Sequence, residues 1–160
     1  MFQIGDKIVH PLHGAGIIVD IVTRAIDGVP APYYALKLAL DDTELFLPVE
    51  SCEKLGVRQV CSREQAEALL QRFGDISRTE EKGWNQRYRE NMLHLRSGDL
   101  LEVAQVIKNL SERDRERGLS AGEKKMLVSA RQIIDSELAF ALDISPQQAA
   151  ELVNAQLCIE

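Results

Sequence analysis

The chain has 160 residues, 45% hydrophobic and 28% charged, a length for one domain or two small ones and a mix that argues against bulk disorder. No apolar run reaches the ~18–20 residues of a membrane helix, and the opening Met1-Phe2-Gln3-Ile4-Gly5-Asp6 lacks the basic and apolar stretches of a secretory signal. Three cysteines (Cys52, Cys61, Cys158) with no Cys-x-x-Cys fit reduced thiols in the cytoplasm, and a net charge of −6 speaks against tight binding to free nucleic acid. Residues 1–50 read as β. Lys7-Ile8-Val9-His10 is a short strand, Gly14-Ala15-Gly16 breaks the chain, and Ile17-Ile18-Val19-Asp20-Ile21-Val22 is nearly continuous in β-branched residues. Asp27-Gly28 is a hairpin signal, because glycine tolerates the positive φ of tight turns. Tyr33 to Leu40 is the return strand, Asp41-Asp42 a further turn, and Glu44-Leu45-Phe46-Leu47 a strand stopped by Pro48. So few short strands favour a strongly bent sheet or barrel of SH3-like or Tudor-like size, closed to limit its edges.

From Ser51 the period becomes helical, and Ser51 itself reads as a helix N-cap. Ser62-Arg63-Glu64-Gln65 is a capping box that opens a helix to about Arg72, followed by a joint at 73–77. Thr79-Glu80-Glu81-Lys82 starts a helix running to Arg96, with acids near its positive end. Asp99-Leu100-Leu101-Glu102 reads as a second box; the helix after it buries Leu100, Val103, Ala104, Ile107 and Leu110 and ends at Gly118. Ser120-Ala121-Gly122-Glu123 is a third box, and Ser145-Pro146-Gln147-Gln148 starts the last helix with proline at the tolerated first position. The expected fold class is α+β: a small Tudor/SH3-like β module over residues 1–55, then a compact all-helical domain over 56–160. No heptad seam calls for a dimer, so a monomer is expected.

Known catalytic and metal patterns fail one by one. His10-Pro11-Leu12-His13 lacks Cys or carboxylate partners at metal-ligand spacing. Ser51-Cys52-Glu53-Lys54 has the Ser-x-x-Lys form without its companion motifs. Gly14-Ala15-Gly16 lacks the residues of a phosphate loop or a dinucleotide fingerprint. Neither an enzyme nor a cofactor is indicated.

The charge is segregated. Residues 1–55 carry 4 basic and 8 acidic side chains, residues 78–131 carry 12 and 9, and residues 132–160 carry none and 5. Screening makes local fields decisive, so 78–131 can meet phosphate where the rest cannot. That segment holds the only tryptophan, in Gly83-Trp84-Asn85-Gln86-Arg87-Tyr88-Arg89. Trp84 and Tyr88 share a helix face at i, i+4, with Arg87 and Arg89 beside them. Trp84 is either a core anchor of the bundle or an exposed aromatic that wedges at a base step while arginines hold phosphates. Arg113, Arg115, Arg117, Lys124 and Lys125 form a second basic group, interleaved with Asp114 and Glu116.

Asp6-Lys7-Ile8-Val9-His10-Pro11-Leu12-His13-Gly14-Ala15-Gly16 resembles the opening of the bacterial CarD-like (CarD/CdnL) transcription regulators, a domain shared with transcription-repair coupling factors. Gly83-Trp84 with Arg87-Tyr88, Ser97-Gly98-Asp99, and Arg113 to Lys124 through Arg-Gly-Leu-Ser-Ala-Gly-Glu-Lys resemble that family's helical domain. The resemblance spans nearly the whole chain. It implies a non-catalytic factor whose β module binds the β subunit of RNA polymerase and whose helices touch promoter DNA at the upstream edge of the melted bubble, stabilising the open complex. On that resemblance Trp84 is the wedge, Arg89 and Lys124 meet the DNA backbone with Arg87 adjacent, and Arg24 lies on the polymerase-binding surface. Two positions depart from the pattern: Phe46 stands for a basic residue of that surface, and Gln86 for one beside the tryptophan. Two other readings stay open: a protein-interaction adaptor with no direct DNA role, and an independent DNA-binding repressor.

Overall fold

Why the β half folds as it does is visible in its tightest turn. A computed structural model describes residues 1–77 and 83–158. Strands β2 (Gly14–Ile26) and β3 (Val29–Leu38) meet at the pair Ile26↔Val29. Between them Asp27 and Gly28 take φ of 54° and 78°, the left-handed pair that matches strand twist in a two-residue hairpin. β1 (Lys7–His10), β4 (Glu44–Pro48) and β5 (Arg58–Gln59) complete an antiparallel sheet in the order β4-β3-β2-β1-β5. Among the described residues no ladder joins β4 to β5, so pairing leaves two edges where closure was expected. Ile8, Ile18, Tyr34, Leu36 and Leu47 fill one face, with Cys52 and Val57 closing it from the segment after β4.

Two local expectations change. Gly14-Ala15-Gly16 does not break the chain: it begins β2, pairing with β1 through His10↔Gly14 and Ile8↔Gly16, and the turn lies before it at 11–13. Ser51 caps no α-helix: it ends a short 3-10 turn, Val49–Ser51. The fifth strand lies beyond residue 55, because Arg58 and Gln59 pair with Val9 and Ile8.

Five helices follow among the described residues: α1 (Arg63–Phe73), α2 (Trp84–Arg96), α3 (Leu100–Arg117), α4 (Ala121–Leu142) and α5 (Pro146–Gln156). Ser62, Ser120 and Ser145 form reciprocal capping boxes with Gln65, Glu123 and Gln148. Asp99 makes only half of one. It accepts from the Leu101 and Glu102 amides, while the Glu102 carboxylate turns to His94 Nδ1 at 3.3 Å. The expected helix start at Thr79 to Lys82 lies outside the described residues. The periodic residues Val103, Ala104, Ile107, Leu110, Met126, Ala130, Ile133, Ile134 and Leu138 are buried together as the helical core.

Helix α4 joins the halves. Val9 and Ala15, on the sheet's second face, belong to the helical core. Ser136 Oγ accepts from the Ala15 amide at 2.8 Å. A Cβ on Gly14 would stand 2.7 Å from Ser136 Oγ and 2.9 Å from the Gln132 carbonyl, so only glycine allows this approach. Glu137, fully buried, receives two bonds from the Arg58 guanidinium (2.6 and 2.7 Å) and one from the Cys61 amide (2.8 Å). Arg58 Nε also donates to the Gly98 carbonyl at 2.7 Å. One ion pair thus ties β5, the α1 approach, the α2–α3 loop and α4.

Candidate nucleic-acid interface

Helix α2 leaves one face uncovered. Trp84 opens the helix after Gly83 and is 46% exposed, so it is not the sealed anchor of the bundle. Its ring stacks on Tyr88 with centroids 5.1 Å apart and planes inclined by 19°. Tyr88 is the inner partner: it packs on the helical core, against Gly122 of α4. The i, i+4 spacing therefore places one ring outside and one ring behind it.

Around the indole runs an open groove of about 420 Å³ lined by Trp84, Asn85, Tyr88, Arg89, Met92, Leu93 and Arg96. Leu93 is 67% exposed on its rim. Arg89 and Arg96 are both exposed. Seven residues apart, they lie within about 20° of each other around the helix and about 10 Å along it. Lys124 is exposed in the first turn of α4. Among the described residues Arg89, Arg96 and Lys124 have no carboxylate partner. Arg96 was not singled out from sequence, although its spacing from Arg89 carries the signal.

Arg87 behaves differently. Its side chain turns inward to Glu123, with Nε 3.0 Å from Oε2 and Nη2 3.4 Å from Oε1. Arg113 Nε lies 3.9 Å from the same carboxylate. Glu123 is 2% exposed. Burial pushes its carboxyl up, but hydrogen bonds from Arg87 and Ser120 outweigh that and hold it below the ordinary value. It stays an anion, and Arg87, expected beside the phosphates, neutralises it.

At the other end of the molecule the two residues expected on the polymerase-binding surface meet. The Arg24 guanidinium lies 3.7 Å from the Phe46 ring centroid, a cation–π contact. Leu45 and Leu47 point to the sheet's core, and Phe46, between them on β4, faces the opposite way. Exposed Ile26 and Val29, paired at the end of the β2–β3 hairpin, lie on the same face as Arg24.

Two of the remaining candidates, His10 and Cys61, are perturbed by burial. His10 is buried, its Nδ1 accepts from the Leu12 amide, and burial with His13 nearby lowers its pKa to about 4. The Cys61 thiol is pushed up to about 12 by burial and by the Glu137 charge, which makes it a poor nucleophile. No group of three or more metal-ligating side chains occurs among the described residues, and no helix there is long and apolar enough to cross a membrane.

Comparison with known proteins bears on both ends. Residues 2–61 match the family model of the CarD-like/TRCF RID domain, and residues 68–154, more than half of the chain, match that of the CarD C-terminal domain. The Bacillus subtilis (strain 168) protein named "Putative transcription factor YdeB" is 31% identical over 148 residues, covering 92% of this chain and 97% of that protein. Both domains are thus present in the family's order, with a Tudor-like β module first and the helices after it, and the chain belongs to the CarD-like family of transcription factors.

Proposed function

We propose that the protein binds the RNA polymerase β subunit through its β module and stabilises the promoter open complex by setting Trp84 against DNA at the upstream edge of the bubble. Arg24 and Phe46 supply the polymerase contact. Arg89, Arg96 and Lys124 hold phosphates, Arg96 serving where Gln86 cannot. The observation that carries this reading is a half-exposed indole backed by Tyr88, beside cations that have no carboxylate partner among the described residues, on a chain of net charge −6. Such a surface binds free duplex weakly, since phosphate neutralisation supplies most non-specific affinity. Tethering to polymerase makes the contact intramolecular, at an effective concentration of order mM. An indole fits an unstacked step better than an intact one, and only that difference in affinity shifts a closed–open equilibrium. In this reading the protein acts as a cytoplasmic monomer without cofactor or catalytic residue.

Trp84→Ala should shorten the open-complex lifetime about tenfold, the equivalent of ~1.4 kcal/mol, with polymerase capture and melting temperature near wild type. An unchanged lifetime with normal capture refutes the wedge. The adaptor reading draws on exposed Leu93 beside the indole, and the pair Arg89→Glu with Lys124→Glu separates the two. That pair lowers open-complex lifetime if DNA is the partner and leaves it unchanged if a protein is.

A further inference from the structure

The indole is held from behind as well as stacked. Trp84 Nε1 donates to Ser120 Oγ at 3.2 Å, across from α2 to the N-cap of α4. The same oxygen accepts from the Glu123 amide at 3.2 Å, and its proton goes to Glu123 Oε1 at 3.1 Å. A hydroxyl has one proton and two acceptor positions. All three are in use, so the direction of each bond is set. Because the proton is committed to the buried carboxylate, the oxygen can only accept from the indole. Glu123 is in turn fixed by Arg87. A chain of contacts runs from Arg87 through Glu123 and Ser120 to the one tryptophan.

We infer that Ser120 is a positioning residue for Trp84, and that Arg87 and Glu123 hold Ser120 in the orientation that lets it serve. This inference rests on the reading that Trp84 meets DNA. The mechanism is preorganisation. A half-exposed indole free to change rotamer would lose that freedom on binding, and a fixed one has lost it already. The Tyr88 stack limits the ring plane, and the hydrogen bond limits rotation within it. Arg87 thereby acts on the DNA-facing surface without touching DNA.

Because the chain has a single tryptophan, fluorescence anisotropy of the full-length protein reports Trp84 alone. Ser120→Gly removes the hydroxyl, and glycine remains a fair N-cap. The variant should show lower anisotropy and an open-complex lifetime shortened roughly two- to tenfold, the range of one such bond, while Ser120→Thr restores both. Trp84→Phe, which leaves the cap intact, should shorten the lifetime as well, and adding Ser120→Gly to it should shorten it no further. Unchanged anisotropy and lifetime in Ser120→Gly, or additive losses in the double variant, overturn the inference. Trp84→Ala keeps the two ideas apart. If it shortens the lifetime and Ser120→Gly does not, positioning alone fails. If Trp84→Ala has no effect, the wedge fails, and anisotropy still decides whether Ser120 holds the ring.

Discussion

Helix α4 carries two buried glutamates, each met by an arginine from an earlier part of the chain, and the pairs have different surroundings. Glu137 ends in backbone and architecture: its other partner is the Cys61 amide, and Arg58 goes on to the Gly98 carbonyl. Glu123 ends in an exposed side chain, through Ser120 to the indole. A buried ion pair is weak evidence of net stability, because desolvation offsets much of the attraction. What it does is specify an arrangement, and the further bonds of each carboxylate say which one. The Arg58–Glu137 pair specifies how two modules sit together. The Arg87–Glu123 pair specifies how one ring stands at the surface.

The sharpest way to break this comparison is to remove one carboxylate at a time. Glu137→Ala leaves Arg58 facing a fully buried, empty site and should cost about 3–5 kcal/mol in chemical denaturation. A loss below about 1 kcal/mol would mean the pair does not hold the modules together. Glu123→Gln should cost less, about 1–3 kcal/mol, and should change the pH profile. A carboxyl whose folded pKa is lowered adds stability above its unfolded value and loses it as pH falls through the folded one. The wild type should therefore lose stability on acidification below about pH 5, and Glu123→Gln should lose less over the same window. Parallel acid profiles would assign the acid loss to other groups. The smallest stability effect belongs to Arg24→Ala, about 0.5–1 kcal/mol at an exposed cation–π contact. Its polymerase capture should nonetheless fall, which thermal melting combined with a pull-down would show.

Local chemistry made much of the fold legible. Asp27-Gly28, the three serine boxes and the 3.6-residue apolar period of α3 and α4 each depend on neighbours within a few residues. What escaped was non-local. Glu123 shows in the sequence only as a capping-box residue and Glu137 carries no signal there, because their arginines lie 36 and 79 residues away. Gly14 reads as a chain break because the helix that crowds it arrives more than a hundred residues later. Strand β5 has two residues, too few to show any period. At the candidate site, the resemblance pointed to Trp84, and residue spacing gave its partnership with Tyr88. The inward turn of Arg87 could not be read without knowing which side of α2 faces α4.

The docking of Ala15 and Gly14 onto α4 has a mechanical consequence. With Val9 and Ala15 inside the helical core and only 60–62 between β5 and α1, the sheet that carries Arg24 is packed directly on the helices. The Arg24 end and the Trp84 end are thus coupled through packed side chains. On the proposed function the protein should therefore discriminate by distance, engaging DNA whose distortion falls at one reach from its anchorage and ignoring the same distortion a turn of the duplex away.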